Sequence, residues 1–289
     1  MGKNILYIAE IVTKVGVYCV KKQLRKLKDE YNIDFVIANA DGASGGFGLG
    51  QSHSIYLRKL GVDVITSGNF IYNKKDIHAH MAKAYHLLRP ANLPYENPGR
   101  GWRTYSIGER DKKNNRQQNL VIINLIGQSS LKYIHPVNPY SILPGIVERA
   151  KKDTDTIILD FHTAITAEKA TMNLYADGQV SAVIGSGMRV QTSDARILQK
   201  GTAVISDAGR TGSIQSVGGF DPKGEIEQRM LGKPLRSTEC WEGLEIQGVI
   251  LNINNEGKAE SITPFRRSVE PPENQAKEPA ENTAHKPSA

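Results

Sequence analysis

Short apolar runs alternate with amphipathic polar segments along the first half of this chain. Five such runs end in a polar or glycine-rich stretch: LYIAE (6–10), FVIANADG (35–42), VITSGNF (64–70), IILDFH (157–162) and VIGSGMR (183–189). Their length and β-branched content predict buried strands. Because ligands bind beyond the carboxyl ends of strands in α/β proteins, we expect the residues at these five ends to converge on one site.

The alternation of strands and helices predicts a parallel sheet with right-handed crossovers in the first half of the chain. The predicted elements are strand 5–10, helix 15–30, strand 33–39, helix 51–60, strand 62–67 and helix 74–88. Hairpin-like pairs occur later, at 104–107 with 120–125 and at 244–253 with 259–264, and residues 109–119 form the exposed connection of the first pair. Asp207, in the segment SDAG, is predicted to be a turn or cap residue. The sequence therefore predicts an α/β fold of two mixed sheets flanked by helices.

Composition favours one globular domain. The chain has 289 residues, 39% of them hydrophobic and 23% charged, which is ordinary for a soluble protein. Apolar runs stay far below the ~20 residues of a membrane span. Residues 1–267 are predicted to form the domain, and the Pro- and Glu-rich segment 268–289 is predicted to be disordered. A first strand that starts at Ile5, without a signal segment before it, predicts a cytoplasmic location.

The net charge suggests an anionic ligand. The whole chain carries +7, and the segment 268–289 contributes −2 from four glutamates and two lysines, so the domain carries +9. A basic domain favours ligands such as nucleotides or RNA. The alternative is that lysine-rich helix faces, such as the one across 21–28, are simply solvated.

Several blocks of sequence resemble one known family. They are ANADGASGGFG (38–48), LLRPAN (87–92), NPGRG (97–101), IINL (122–125), LDFH (159–162), VQTSD (190–194), ILQKGTA (197–203) and SDAGRTG (206–212). Their content and order make residues 3–265 similar to the YmdB-type family of calcineurin-like metallophosphoesterases. The resemblance implies the family's α/β sandwich of two mixed sheets. It also implies phosphodiester hydrolysis of cyclic nucleotides or RNA at two divalent metal ions, iron or manganese.

The resemblance also assigns site positions, and this chain departs from most of them. The family's metal ligands fall on Glu10, Asp41, Gly42, Asn69, His162, Gly187 and Arg189, and its proton donor falls on Phe70. The amide of Asn69 and the imidazole of His162 match the family. Glu10 and Asp41 keep a carboxylate but differ in length by one methylene.

The remaining positions cannot perform the family's chemistry. Gly42, Gly187 and Arg189 cannot ligate a metal, and Phe70 cannot transfer a proton, so no catalytic residue is predicted. A guanidinium about 5 Å from a divalent cation is repelled by roughly 6–7 kcal/mol at an effective dielectric of about 20. A pairing of Glu10 and Asp41 with Arg189 is as good an interpretation of these carboxylates as metal ligation.

These departures predict a catalytically degenerate member, a pseudoenzyme, that is retained as a phosphate-binding, nucleotide-binding or regulatory protein. In that hypothesis Arg189 replaces the charge of the metal and binds phosphate. One alternative is an active phosphodiesterase whose one-metal or rebuilt site uses the predicted metal ligands Glu10, Asp41, Asn69 and His162. Another is a non-catalytic scaffold subunit. We expect a homo-oligomer with nucleotide or RNA as its ligand and no membrane association.

Overall fold

The computed structural model describes residues 2–108, 118–129, 131 and 133–275. Most of the predicted connection 109–119 and the end of the predicted tail, 276–289, lie outside the described residues. Among the residues that the structure describes, no helix is long and apolar enough to cross a membrane.

The first sheet contains both parallel and antiparallel neighbours. Its described strands are β1 (Lys3–Ile8), β2 (Glu10–Ile11), β3 (Phe35–Asn39), β4 (Val64–Thr66), β11 (Arg210–Ser213), β12 (Leu244–Ile253) and β13 (Ala259–Val269). Their order is β2-β11-β12-β1-β3-β4, and β13 pairs with β12. Strand β1 runs parallel to β3 and antiparallel to β12, so this sheet is mixed as predicted.

The second sheet is also mixed. Its described strands are β5 (Trp102–Ile107), β6 (Gln118–Ile126), β7 (Ile157–His162), β8 (Ala182–Ser186), β9 (Arg196–Ile197) and β10 (Ala203–Ile205). They lie in the order β5-β6-β7-β8-β10-β9. The central strands β6, β7, β8 and β10 are parallel, while β5 and β9 are antiparallel edges.

Alternating side chains place the two sheets face to face with helices outside. Ile5 and Tyr7 of β1 pack into the core between the sheets, whereas Leu6 and Ile8 pack against the helices. All four are fully buried, as expected for a strand covered on both faces. The described helices are α1 (Thr13–Glu30), α2 (Gln51–Leu60), α3 (Lys75–Met81), α4 (Pro139–Ala150), α5 (Thr166–Tyr175), α6 (Pro222–Leu231) and the 3₁₀ turn Glu273–Gln275.

Two helices differ from the prediction. Helix α3 ends at Met81 instead of continuing to 88, because residues 86–88 lie beside β4: the Ile65 N–H donates to the His86 carbonyl at 2.7 Å and the Leu88 N–H donates to the Ile65 carbonyl at 2.8 Å. Helix α6 was not predicted, although its start has a capping Asp221 followed by proline, which is a helix-start signal. The last strand continues through Val269, two residues past the predicted domain boundary.

Candidate functional site

All five residues predicted to form a site lie after or at the ends of strands, at one edge of the sandwich. Glu10 follows β1, Asp41 follows β3 and Asn69 follows β4, while His162 ends β7 and Arg189 follows β8. The structure divides them into two contacting groups. We call Glu10 with Arg189 the arginine half, and Asp41 with Asn69 and His162 the histidine half.

A buried ion pair forms the arginine half. Arg189 Nε donates to Glu10 Oε1 at 2.8 Å, and Arg189 Nη2 lies 2.7 Å from the same oxygen. The Glu10 side chain is 1% exposed and that of Arg189 is 16% exposed. The other carboxylate oxygen, Glu10 Oε2, is buried and has no hydrogen-bond partner in the part of the chain that the structure describes. Of the two interpretations given to Glu10, the geometry shows the pairing with Arg189.

The same guanidinium also joins two loops. Arg189 Nη2 donates to the Gly46 carbonyl at 2.8 Å, and Nη1 donates to the Gly218 carbonyl at 3.2 Å. Of the five N–H groups of a guanidinium, these contacts within the described residues leave a single Nη1 hydrogen for any ligand. Arg189 is therefore a fixed internal cation with little remaining donor capacity.

The backbone around Arg189 is held in an uncommon conformation. Arg189 has a φ of 61°, in the left-handed region that costs a non-glycine residue about 1 kcal/mol or more. The preceding Met188 N–H donates to Asp207 Oδ2 at 2.9 Å, and Asp207 forms a buried pair with Lys169. Asp207 also accepts from the Gly209 N–H. The predicted turn role of Asp207 is confirmed, and its ion pair fixes the turn that presents Arg189.

Glycine stands at two positions where the family resemblance implies metal ligands. A Cβ on Gly42 would lie 2.9 Å from Arg189 Nη2 and 3.1 Å from Glu10 Oε1, so the guanidinium uses space that a larger residue would fill. Gly187 has a φ of 102°, and its Cβ would lie 3.1 Å from the Thr163 carbonyl oxygen. Such a backbone strongly favours glycine. The residues at 42 and 189 are therefore physically coupled, whereas Gly187 borders Thr163 and His162.

The histidine half is a hydrogen-bonded group of polar side chains. His162 Nε2 lies 3.1 Å from Asn69 Oδ1 and 3.7 Å from Asp41 Oδ2. On the other side of the ring, His162 Nδ1 lies 3.0 Å from Ser186 Oγ. Asp41 is in contact with His162 and makes no ion pair with Arg189 among the described residues, so it does not share the pairing that Glu10 makes.

The hydroxyl of Ser186 determines which nitrogen of His162 carries a proton. Ser186 Oγ donates its hydrogen to Asp160 Oδ1 at 2.7 Å, so it can only accept from His162. Nδ1 of His162 is therefore the protonated nitrogen in this arrangement.

Asp41 is fully buried, and its carboxylate accepts three contacts from backbone N–H groups. Oδ1 accepts from the Gly68 N–H at 2.7 Å, and the Phe70 N–H lies 3.2 Å from Oδ1 and 3.1 Å from Oδ2. Burial raises the pKa of Asp41 to about 6, although His162 acts in the opposite direction. Nearby Glu10 raises this pKa further.

Sequence reasoning did not identify the network behind His162. Asp160 accepts hydrogen bonds from Tyr7 at 2.7 Å and from Asn39 at 3.1 Å, and also from the Thr66 hydroxyl. Asp160 is fully buried between the sheets. The position of Asp160 in the LDFH block was the only sequence feature that pointed to it. Its hydrogen bonds join four strands, and such contacts between distant segments cannot be predicted from one sequence.

A two-metal centre does not fit these residues. The carboxylate of Glu10 is neutralised by Arg189, and the guanidinium lies against Gly42 where the family resemblance requires a ligand. Among the described residues, no group of three or more histidine, cysteine, aspartate or glutamate side chains could hold a metal ion. The donor set and the fixed cation both disagree with the family's metal chemistry.

A second arginine lies beside the first. Arg210 on β11 pairs in register with Glu10 on β2, so both side chains leave the sheet on the same side. Its Nε is buried and finds no hydrogen-bond partner in the described part of the chain. Burial and the neighbouring charge of Arg189 lower the pKa of Arg210, while Glu10 raises it. The site thus combines two guanidinium groups with one carboxylate at its arginine half.

Comparison with known proteins agrees with this fold. The YmdB-like protein family profile matches residues 6–265. A 2′,3′-cyclic-nucleotide 2′-phosphodiesterase from Bacillus subtilis is 36% identical over 255 residues, covering 88% of this chain and 93% of that protein. A putative phosphatase/phosphodiesterase from Mycoplasma pneumoniae is 30% identical over 270 residues, covering 92% of each chain. The relatives indicate a family of phosphodiesterases and phosphatases.

Solved structures of similar proteins have the same fold. The crystal structure of a novel phosphatase from Mycoplasma pneumoniae has a TM-score of 0.84 and 29% identity, covering 93% of this chain and 94% of that one. A hypothetical protein from Thermus thermophilus has a TM-score of 0.81 and 26% identity, covering 92% and 99%. The predicted calcineurin-like sandwich is confirmed. The chain belongs to the YmdB-like protein family.

Proposed function

We propose that this chain is a catalytically degenerate member of its family, which binds a phosphate-bearing nucleotide or RNA end without two-metal hydrolysis. One observation supports this most strongly. The guanidinium of Arg189 contacts Glu10 Oε1 at 2.7 and 2.8 Å and is tied to two loop carbonyls. A permanent cation that is held so firmly repels a divalent ion from the same carboxylate.

The two arginines supply the attraction for the ligand in this proposal. Arg189 contributes its positive charge and one uncommitted N–H, while Arg210 contributes a second guanidinium on a residue that is partly exposed. Guanidinium groups suit phosphate because several N–H donors match its oxygens. The relative from Bacillus subtilis is named for 2′,3′-cyclic nucleotides, so 2′,3′-cyclic AMP is the first ligand to test.

The experiment is calorimetric titration of the full chain with 2′,3′-cyclic AMP, once with EDTA and once with added Mn²⁺. We expect equal affinity in both buffers and an unchanged nucleotide at the end. Arg210→Ala should weaken binding about 10-fold or more, because hydrogen bonds to a charged group are worth about 1.5–3 kcal/mol. Arg196→Ala is the matched control, since the pair of Arg196 with Asp194 is exposed and long at 3.9 Å.

Two results would overturn the proposal in different ways. Hydrolysis that appears with Mn²⁺ and disappears with EDTA would show that the site works with metal. Absence of any binding in both buffers would remove the nucleotide as its ligand.

The histidine half favours a second candidate, a one-metal phosphodiesterase. Asp41, Asn69 and His162 remain in contact with one another, although Glu10, the fourth residue of that hypothesis, is paired with Arg189. This candidate predicts metal-dependent turnover that His162→Ala abolishes. The homo-oligomer stays a prediction, which light scattering on the purified chain would test.

A further inference from the structure

Three aromatic rings meet at the site, beside the arginine half. Phe47 stacks on Phe220 with ring centres 5.9 Å apart and planes 17° apart. Phe47 also meets Phe70 edge-on, with centres 5.2 Å apart. Three of the chain's six phenylalanines thus form one cluster, which we call the phenylalanine cluster. One of them, Phe70, stands where the family resemblance expects a proton donor.

Phe47 is presented to solvent on a tightly held loop. The residue Phe47 is 47% exposed, while Phe220 beneath it is 8% exposed. The loop is closed by backbone bonds from the Gly46 N–H to the Gly42 carbonyl at 3.0 Å and from the Gly48 N–H to the Asp41 carbonyl at 2.6 Å. An aromatic ring held in this way loses little conformational freedom when a ligand stacks on it.

The loop that carries Phe47 is attached directly to the arginine half. Arg189 donates to the carbonyl of Gly46, the residue before Phe47, at 2.8 Å. Gly46 itself must lack a side chain, because its φ is 80° and a Cβ there would come within 2.4 Å of the Phe220 ring. The cation and the exposed ring are therefore held in a fixed relation by one residue of backbone.

We propose that Phe47, supported by Phe220 and Phe70, is a stacking platform for the base of the bound nucleotide. The proposal rests on the proposed function, since the phosphate binds at the arginines beside it. A cation for the phosphate and a flat apolar ring for the base are the two elements with which proteins hold single nucleotides and single-stranded RNA. The proposal therefore expects phosphate esters that carry an aromatic base, and not phosphate esters in general, to bind at this site.

Phe70 has a clear role in this arrangement. Its backbone N–H is bound by Asp41, so the position of the residue is set by the histidine half, and its ring supports Phe47. Replacement of an imidazole by a phenyl ring removes a proton donor and adds apolar surface against the platform. The same substitution therefore fits both lost hydrolysis and retained base binding.

The test separates base stacking from phosphate binding. The full chain is titrated with 2′,3′-cyclic AMP and with ribose 2′,3′-cyclic phosphate, which lacks the base. The wild-type chain should prefer the nucleotide, and Phe47→Ala should weaken nucleotide binding by about 10-fold while binding of the base-free ligand stays unchanged. Phe47→Trp should retain the preference. Phe47→Leu, which keeps apolar volume without a ring, should lose it.

Tyr95→Ala is the control, because Tyr95 is 89% exposed and makes no ring contact with this cluster among the described residues. Melting curves of the Phe47 variants show whether each is folded. An unchanged nucleotide affinity in folded Phe47→Ala, with intact binding of the base-free ligand, would overturn the platform and leave the proposed function standing. Equal loss for both ligands would also overturn it, since the ring would then only shape the phosphate site. Failure of the wild-type chain to bind either ligand would overturn both.

Discussion

The two halves of the site differ in how they hold charge. In the arginine half, Glu10 is bound by a guanidinium at 2.7 and 2.8 Å, and Gly42 leaves the space that this group needs. In the histidine half, Asp41 and His162 are 3.7 Å apart, and Asp41 is satisfied by backbone N–H groups. One half contains a permanent cation, whereas the other contains the carboxyl group of Asp41, whose pKa burial raises to about 6.

Under the proposed function, this difference explains how the fold of a metal-dependent family holds a buried carboxylate without a metal. A carboxylate buried at the end of β1 needs a nearby positive charge, because burial of an unpaired charge is expensive. A divalent ion supplies that charge in the family chemistry that the resemblance implies, and Arg189 supplies it here. In the histidine half, two backbone N–H groups bind the carboxyl group of Asp41, but burial outweighs them and raises its pKa to about 6. The following predictions test this distinction, from the largest expected effect to the smallest.

Removal of the guanidinium should have the largest effect. Arg189→Met leaves Glu10 buried without a partner, so the free energy of unfolding should fall by about 3–5 kcal/mol. The double variant Glu10→Gln/Arg189→Met should recover much of that loss, because both charges are then gone. Urea denaturation measures both.

Arg196→Met serves as the control for this prediction. Its ion pair with Asp194 is exposed, so the change should stay within about 1 kcal/mol. A loss in Arg189→Met no larger than that of the control would contradict the claim that Glu10 depends on this cation.

The histidine half should respond to pH instead. Because the pKa of Asp41 is raised to about 6 in the folded chain, its stabilising contribution is present below pH 4. The contribution should disappear as the pH rises from about 4 to about 6, with a total of up to about 3 kcal/mol. Asp41→Asn should remove this part of the pH dependence, so the difference in melting temperature between the two proteins should vary over that range. A constant difference from pH 4 to pH 7 would argue against a raised pKa.

The coupling between Gly42 and Arg189 should give the smallest effect. Gly42→Ala places a Cβ 2.9 Å from Arg189 Nη2, and such crowding should cost about 1–3 kcal/mol of unfolding free energy. The cost should shrink when the same substitution is made in Arg189→Met, because the crowded group is absent. Gly145→Ala is the control, since a Cβ there meets nothing within 4 Å among the described atoms. Equal costs in the two backgrounds would mean that the two positions act independently.

Much of the fold could be predicted from the chain alone. Apolar runs, the alternation of strands and helices, and the sequence blocks around 38–48 and 159–162 predicted two mixed sheets, and the comparisons confirm the family. Helix α3 was predicted too long because residues 86–88 fit a helical pattern but pair beside β4 instead. That competition depends on tertiary contacts, which local patterns do not contain.

The sequence predicted which residues meet in the site, but not which of them contact each other. Strand ends indicated that Glu10, Asp41, Asn69, His162 and Arg189 would meet, and the structure places all five at one edge of the sandwich. The partners of each residue could not be deduced. Whether Arg189 contacts Glu10 or Asp41 depends on a left-handed turn held by Asp207 and on the space at Gly42. Both features depend on contacts between segments that are far apart in sequence, which the sequence alone does not give.

The central claim is that Arg189 has taken the place of metal in this site. Elemental analysis of the full chain, purified without chelator or metal-affinity resin and then dialysed against Mn²⁺ or Fe²⁺, tests it most directly. The account predicts metal close to zero per chain, and no gain in thermal stability on addition of either ion. About one or two equivalents of bound metal per chain, as expected of a working one- or two-metal site, would contradict it.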